Sequence, residues 1–384
     1  MPMVRHAEIA GAGFGGLVAA IGLARAGWTV RVHERTPFVR SEGYGIAVHR
    51  NGILVLKALG VFDEILKRSV RVSHLETRQS DGSLTSQVPA KLTYRISRQH
   101  MVGVLCAAAQ KEGVEVVLDS EVVGAQSQGA LLLKDGRALG ADLVIGADGV
   151  NSRVRDSLGL LARQVLLPDG AMRFVFPVRT GAPLLDPVAG AAAIEYWSGS
   201  RRLIWNACAA DEIYVAMSCL ETDKAGQSVP LDLDSWRHSF PGLADDLARM
   251  PRAVDWEHVK WVRFQTIHLK RWSAGCVAVL GDAAHAMPPN LGQGGGCAMM
   301  NALSLATELA DATSVEDALG RWERRERPLT EHTQKWSRMY SATTLWPPWL
   351  RSAAFAATGR IGWLRTRYQR TANHIPQGVQ PELT

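Results

Sequence analysis

Cysteine is scarce in this 384-residue chain, and the little there is shows no pattern. Cys106, Cys208, Cys219, Cys276 and Cys297 are odd in number and share no C-x-x-C spacing. That excludes a disulfide scaffold or a cysteine zinc site as the organising device and suits a reducing cytoplasm. Long apolar runs are missing too: none reaches the roughly 18–20 residues of a membrane span. The opening residues MPMVRHAEIAGAG hold no apolar h-region and no small-residue cleavage site, so a cytoplasmic protein is expected. Charge of one sign is not massed either. Net charge is +6, with residues 321–384 holding 11 Lys/Arg against 4 Asp/Glu and the rest holding 32 against 33. The tail arginines are spaced out, which argues against a nucleic-acid binder or a stable membrane anchor. They read as a basic helical segment that packs its aromatic side (Trp346, Trp349, Phe355, Trp363) on the body or on a second subunit, in a monomer or homodimer. Hydrophobic content of 47% and charge of 21% leave an ordinary globular chain, long enough for two or three domains.

What the chain does have is glycine in purposeful places. The segment HAEIAGAGFGGLVAAIGLARAGWTVRVHER (6–35) reads as strand, glycine turn, amphipathic helix and strand. Gly11, Gly13 and Gly16 form G-x-G-x-x-G, with Gly15 beside them. The first permits the tight turn, the second lets a pyrophosphate approach the backbone, and the third lets helix and strand pack closely. Phosphate then meets the free N–H groups and partial positive charge of a helix N-terminus. Glu34 ends the second strand, where an acid bonds ribose hydroxyls and repels a 2′-phosphate. FAD or NAD therefore fits better than NADP, and the loop alone does not choose between them. Arg35 and Arg40 follow Glu34 and Arg98 lies in ISRQHMVGVL; all three are candidates for contact with the cofactor.

Two further stretches repeat the strand-to-glycine logic. ADLVIGADGVNSRVR (141–155) runs an apolar strand into Asp148-Gly149, then Ser152 and Arg155. GCVAVLGDAAHAMPPNLGQGGG (275–296) runs a strand over 276–280 into Gly281-Asp282, with a helix expected from about Gly296. Three such sites spread along the chain suit a large cofactor threaded through the fold. In these motifs the chain resembles the single-component FAD-dependent aromatic hydroxylases, the group of p-hydroxybenzoate and salicylate hydroxylases. The resemblance runs from residue 6 to about 340. GIAVHRNGILVLKALG, GQGGGCAMMNALSL and SVEDAL are similar to the 2-methyl-3-hydroxypyridine-5-carboxylate oxygenase branch. The tryptophan signature W-x-W-x-x-I-P of flavin halogenases is absent.

The resemblance implies an α/β protein: a Rossmann-like FAD-binding domain (1–70, 98–164, 270–340), an antiparallel β-sheet substrate domain (71–97, 165–269), and a helical C-terminal segment (341–384). It implies FAD, NADH or NADPH as a transient reductant with no second Rossmann motif, O2 as co-substrate, and hydroxylation of a hydroxylated aromatic or pyridine-type carboxylic acid through a flavin hydroperoxide, with ring opening in the pyridine case. Epoxidation, drug inactivation, or a redox module with a protein partner are the alternatives. By resemblance Asp282 bonds the ribityl chain, and the loop through Pro289, Gly292 and Gly295 passes the flavin ring. Proline fixes carbonyls there, and glycine lets main chain approach a flat group. His285 reads as structural.

Between about 165 and 270 the alternating runs AMRFVFPVR, AAAIEYW, RRLIWNACA and DEIYVAMSC read as antiparallel strands. The resemblance points to Arg202 and Tyr214 as substrate contacts, an arginine for a carboxylate and a tyrosine for a ring hydroxyl. The other reading is that Arg202 caps a hairpin and Tyr214 fills the core. Arg173 and His49 are further candidates, His49 near the flavin face. Ala47 and Leu75 stand where relatives carry larger polar rings, which leaves the substrate open.

Overall fold

Two sheets of different character arise from the two kinds of strand. The computed structural model describes residues 4–39, 44–177, 192–209, 211–250 and 254–383. In chain order the strands begin β1 His6–Ala10, β2 Thr29–His33, β3 Gly45–His49, β4 Ser69–Gln79, β5 Leu84–Ser97, β6 Glu115–Val117, β7 Val122–Gln126, β8 Ala130–Leu133 and β9 Ala138–Gly140. They continue with β10 Leu143–Gly146, β11 Leu161–Pro177, β12 Ala192–Ser198, β13 Arg201–Ala209, β14 Glu212–Leu220, β15 Val262–Leu269, β16 Ser273–Ala274 and β17 Val277–Val279.

The first sheet has the order β16-β17-β10-β1-β2-β6 and is parallel except at β16. Its middle strands β10 and β17 are buried at every position, as a parallel sheet covered on both faces requires. The helix Phe14–Arg25 leaves β1 and packs on the helix Gly294–Ala310. A Cβ at Gly22 would lie only 2.6 Å from that of Ala306, so the two backbones meet closely. A small antiparallel sheet, β7-β8-β9, stands apart.

The second sheet has the order β15-β11-β14-β13-β12-β4-β5-β3. It is antiparallel apart from the β12–β4 pair. The α/β expectation and the antiparallel second layer are both met. Two boundaries differ: the strand expected over 276–280 is the shorter Val277–Val279, and the helix after the third glycine stretch begins at Gly294 rather than near Gly296. β3 joins the second sheet although it falls in the stretch assigned to the FAD unit. Ile46 and Val48 find their partners at Ile96 and Tyr94 of β5, so apolar pairing draws the strand across.

The C-terminal helices Val315–Ala342, Pro348–Arg360 and Gly362–Tyr368 form a third layer. Phe355 stacks on Tyr340 at 5.3 Å and lies 5.9 Å from Trp197. The rest of the expected packed aromatic side faces outward: Trp346, Trp349 and Trp363 are 39%, 72% and 66% exposed. Pro347 and Pro348 hold Trp346 and Trp349 at a turn, which leaves them outside. The segment returns to the body through Asn51 N donating to Ala372 O at 3.1 Å and Arg50 donating to Asn373 O at 3.1 Å. Among the described residues no helix is long and apolar enough to cross a membrane, and no cluster has the makings of a metal site.

Glu8 on β1 is a buried charge in the first sheet, met by His33 at 2.7 Å, His6 at 3.0 Å and Arg31 at 3.2 Å. Burial pushes its carboxyl up, but hydrogen bonds from His33 and His6 and the charges of His33 and Arg31 win and hold it below the ordinary carboxylate range. Its stabilisation is therefore complete above the unfolded-chain value of 4.5 and is lost as pH falls through the lower folded value. Glu8→Gln is expected to cost roughly 2–4 kcal/mol at pH 7 and to shrink the gap between melting temperatures at pH 7 and pH 3. An undiminished gap would show that the acid lability lies elsewhere.

Candidate active site

The first glycine loop has the shape of a phosphate cradle. Gly11 has φ +100°, and a Cβ there would sit 2.4 Å from Ala147 O. A Cβ at Gly16 would come 2.0 Å from Gly11 O, and one at Gly15 would press on Leu280. At Gly13 a Cβ would meet nothing within 4 Å, and Gly13 lines the main cavity. Glu34 braces the loop, accepting from Ala12 N at 3.2 Å and Thr36 Oγ1 at 2.9 Å. Arg35 is exposed beside it; Arg40 lies outside the described residues. Arg98 opens the helix Arg98–Lys111, lines the cavity and lies 5.3 Å over the Phe14 ring.

The Asp148 motif turns its acid toward the protein's own groups. Its carboxylate accepts from Ser152 Oγ at 2.5 Å and from Arg153 N at 2.7 Å, capping the helix Arg153–Ser157. Ser152 in turn accepts from Arg155 N, and Arg155 donates to Val150 O at 2.9 Å and Ala283 O at 3.3 Å. These bonds tie the second motif to the third. What reaches the cavity is backbone, at Ala147, Gly149 and Val150. Asp282 does line the cavity, and burial pushes its carboxyl up while Arg98 and Arg173 pull it back.

The turn that follows, Pro289–Leu291, ends in Gly292 with φ +61°. A Cβ on Gly292 would lie 3.1 Å from His49 Nε2 and 3.2 Å from Ala47 Cβ. Asn290 accepts from Arg202 at 2.7 Å and donates to Ser337 O at 3.2 Å. Ser337 donates to Pro288 O at 2.5 Å, and Asn51 to Gln293 at 3.0 Å. Beyond it the helix Gly294–Ala310 starts with three glycines and no side-chain cap, so its first N–H groups are left for a ligand. The open Gly13, the acids Glu34 and Asp282, and this helix end fit a bound FAD.

The cavity is about 820 Å³ and continues from the glycine loop past the turn to the second sheet. There it is lined by Arg95, Arg173 and Tyr214. Arg95 was not singled out from sequence, although Thr93, Arg95 and Ser97 alternate with apolar Tyr94 and Ile96 and so share a face. Its Nε is buried without a hydrogen-bond partner among the described residues, and burial lowers the guanidinium to about 10. Burial raises the Tyr214 hydroxyl, against the pull of Arg173, Arg95 and Arg202. His49, bonded to Thr93 Oγ1 at 3.1 Å, is pushed down to about 4 by burial and by Arg95. His285 is buried against Trp272, likewise near 4, a structural position away from the lining.

Arg202 is not among the lining residues. It is buried behind the wall, 5.5 Å over Trp197 and 5.6 Å over Tyr340, with Glu195 at 3.8 Å and Asn290 as its close partner. A strand residue with an aromatic slot behind it turns inward, and its charge goes to the turn. The rest of the wall is mixed, with Thr77, Glu195, Gln265 and Tyr368 polar and a larger apolar group beside them. Leu75, Val88, Ile194, Ile204 and Phe264 come from the second sheet, and Phe355 and Leu364 from the C-terminal helices. Ala47 and Leu75, the two departures noted in sequence, both lie on it.

Residues 5–337 match the FAD binding domain family. The chain is 38% identical over 362 residues to a 2-heptyl-3-hydroxy-4(1H)-quinolone synthase of Mycobacteroides abscessus, covering 92% of this chain and 95% of that one. It is 27% identical to the 6-hydroxynicotinate 3-monooxygenase of Bordetella bronchiseptica, covering 90% and 91%. Among solved structures, the tetrameric form of 2-methyl-3-hydroxypyridine-5-carboxylic acid oxygenase superposes with TM-score 0.86 at 34% identity, covering 98% and 100%.

Removing Arg202 leaves Asn290 Oδ1 without its donor and Glu195 without its counter-charge. Arg202→Ala is expected to lower stability by roughly 2–4 kcal/mol and to weaken FAD retention about ten-fold, measured by melting and by flavin titration. A variant that keeps its flavin and loses only substrate affinity would return Arg202 to the substrate.

Proposed function

The chain belongs to the FAD binding domain family and is an FAD-dependent aromatic monooxygenase; from that premise we propose that it hydroxylates an N-heteroaromatic ring carrying a hydroxyl or keto oxygen and an apolar substituent, of the 2-alkyl-4-quinolone class. One observation carries the reading: a cavity lined by Arg95, Arg173 and Tyr214 together with an apolar group formed by Leu75, Val88, Ile194, Ile204 and Phe264.

Bound FAD, reduced by NADH or NADPH, supplies the oxygen-activating ring. The protein's own part is electrostatic and steric. Arg95 and Arg173 favour the anionic form of the ring oxygen, which makes the neighbouring carbon electron-rich. Tyr214, whose hydroxyl burial keeps protonated, donates to that oxygen and orients the ring. The Gly13 cradle, Glu34, Arg98 and Asp282 hold the dinucleotide, with Gly11, Gly15 and Gly16 shaping the loop and Asp148 bracing it from behind. Pro289, Gly292 and Gly295 line the cavity and would form the platform for the flavin ring, and neutral His49 keeps the turn in place. Leu75, Val88 and Phe355 exclude water from the apolar substituent.

Two cationic side chains in one wall also suit a carboxylate, so a pyridine carboxylic acid is the second reading. The apolar group of Leu75, Val88, Ile194 and Phe264 in the wall favours the first. In a panel of 2-heptyl-4(1H)-quinolone, hydroxypyridine carboxylates and hydroxybenzoates, the alkylquinolone is expected to stimulate NAD(P)H oxidation most strongly and to gain one oxygen by mass. Preference for the acids would overturn the first reading, and loss of ring absorbance would indicate ring opening. Arg95→Ala is expected to lower kcat/KM about ten- to a hundred-fold, with flavin content unchanged. His49 has its transition near 4, so it stays neutral above pH 6, and His49→Asn is expected to leave the pH–rate profile between 6 and 9 unmoved.

A further inference from the structure

Residues 345–350, Leu-Trp-Pro-Pro-Trp-Leu, invert the usual order of a protein surface. Leu345, Trp346, Trp349 and Leu350 are 59%, 39%, 72% and 38% exposed, while the next residue, Arg351, is buried with its guanidinium 4.2 Å over Trp197. The display is rigid. Trp346 N donates to Thr343 O, and Leu350 N and Arg351 N both donate to Pro347 O, each at 3.1 Å. Scattered apolar side chains on a surface need no explanation, but four large ones on one fixed turn do.

The turn adjoins the mouth of the cavity. Trp346, Met339 and Val262 line the cavity and are also exposed. Lys335 and Arg338 are exposed one turn of helix from Met339 and Ala342. From residue 332 to residue 381 the chain has no acidic side chain at all. A two-fold contact between copies would set these cations against each other. An anionic lipid surface would not: tryptophan and leucine enter the headgroup boundary while lysine and arginine meet the phosphates.

We infer that the rim formed by residues 335–350 seats reversibly on an anionic lipid surface, so that an apolar substrate passes from lipid into the cavity. The docking stands on the rim's own chemistry; only the route of entry rests on the substrate class proposed above.

The test is co-sedimentation of the FAD-loaded enzyme with vesicles of phosphatidylcholine mixed with phosphatidylglycerol, and of phosphatidylcholine alone. The enzyme is expected to sediment with the mixed vesicles and to be released by salt. Trp349→Ser should weaken that binding about ten-fold and Arg338→Glu about five-fold. Flavin content, melting temperature and size by analytical ultracentrifugation should match the parent in both. Three results would each overturn the inference: no sedimentation with mixed vesicles, wild-type sedimentation by Trp349→Ser, or an oligomer that Trp349→Ser splits, which would assign the rim to a second copy. Failure of the alkylquinolone assay with vesicle binding intact would leave the docking standing and remove only the route.

Discussion

The structure depends on one short turn being held still. Residues 288–293 have little secondary structure of their own, yet contacts fix them from several directions: Arg202 from the second sheet, Ser337 from the long C-terminal helix, and Asn51 from the helix after β3. Gly292 leaves no room for a side chain between the turn and His49. Because each contact comes from a different part of the chain, the turn takes its shape only when both sheets and the helical layer are assembled. Preorganisation of this kind is what a cofactor platform needs, since a loop free to move would give up part of its binding energy in ordering.

The glycine motifs share a logic that differs in detail from one to the next. Gly11 and Gly16 are required by crowding, whereas Gly13 is required by openness. The Asp148 motif turns its polar groups inward and presents backbone to the cavity, so its acid caps a helix. Asp282, by contrast, faces the cavity. Similar strings of residues therefore do different work, and the difference is set by which neighbouring strand end each string meets.

The fold was largely legible because the parallel strands are short, apolar and followed by glycine turns, and because the second-sheet strands alternate. The glycine loop was legible for the same reason: it is a local device whose geometry is written in consecutive residues. The wall of the cavity was not. Arg202 and Arg95 are both arginines on strands, and only the partners across space separate them: an aromatic slot behind Arg202, and open cavity before Arg95. The wall supplied by Phe355 and Leu364 was hidden because nothing in residues 341–384 tells which part of a distant sheet they will cover.

That last wall bears on how the protein is made. The glycine loop emerges first, but β1 waits for β10 and β17 to complete its sheet, and the cavity waits longer still, for the helices that end near residue 368 and the turn at 372–373 that bonds back to the body. Until that segment leaves the ribosome and docks, the side of β5 that the helix Pro348–Arg360 covers stands open to water. A nascent chain of this design passes through a stage in which the strands of the first sheet are all present while the second sheet still lacks its C-terminal cover. Chaperone dependence during synthesis should therefore concentrate on the interval between the two.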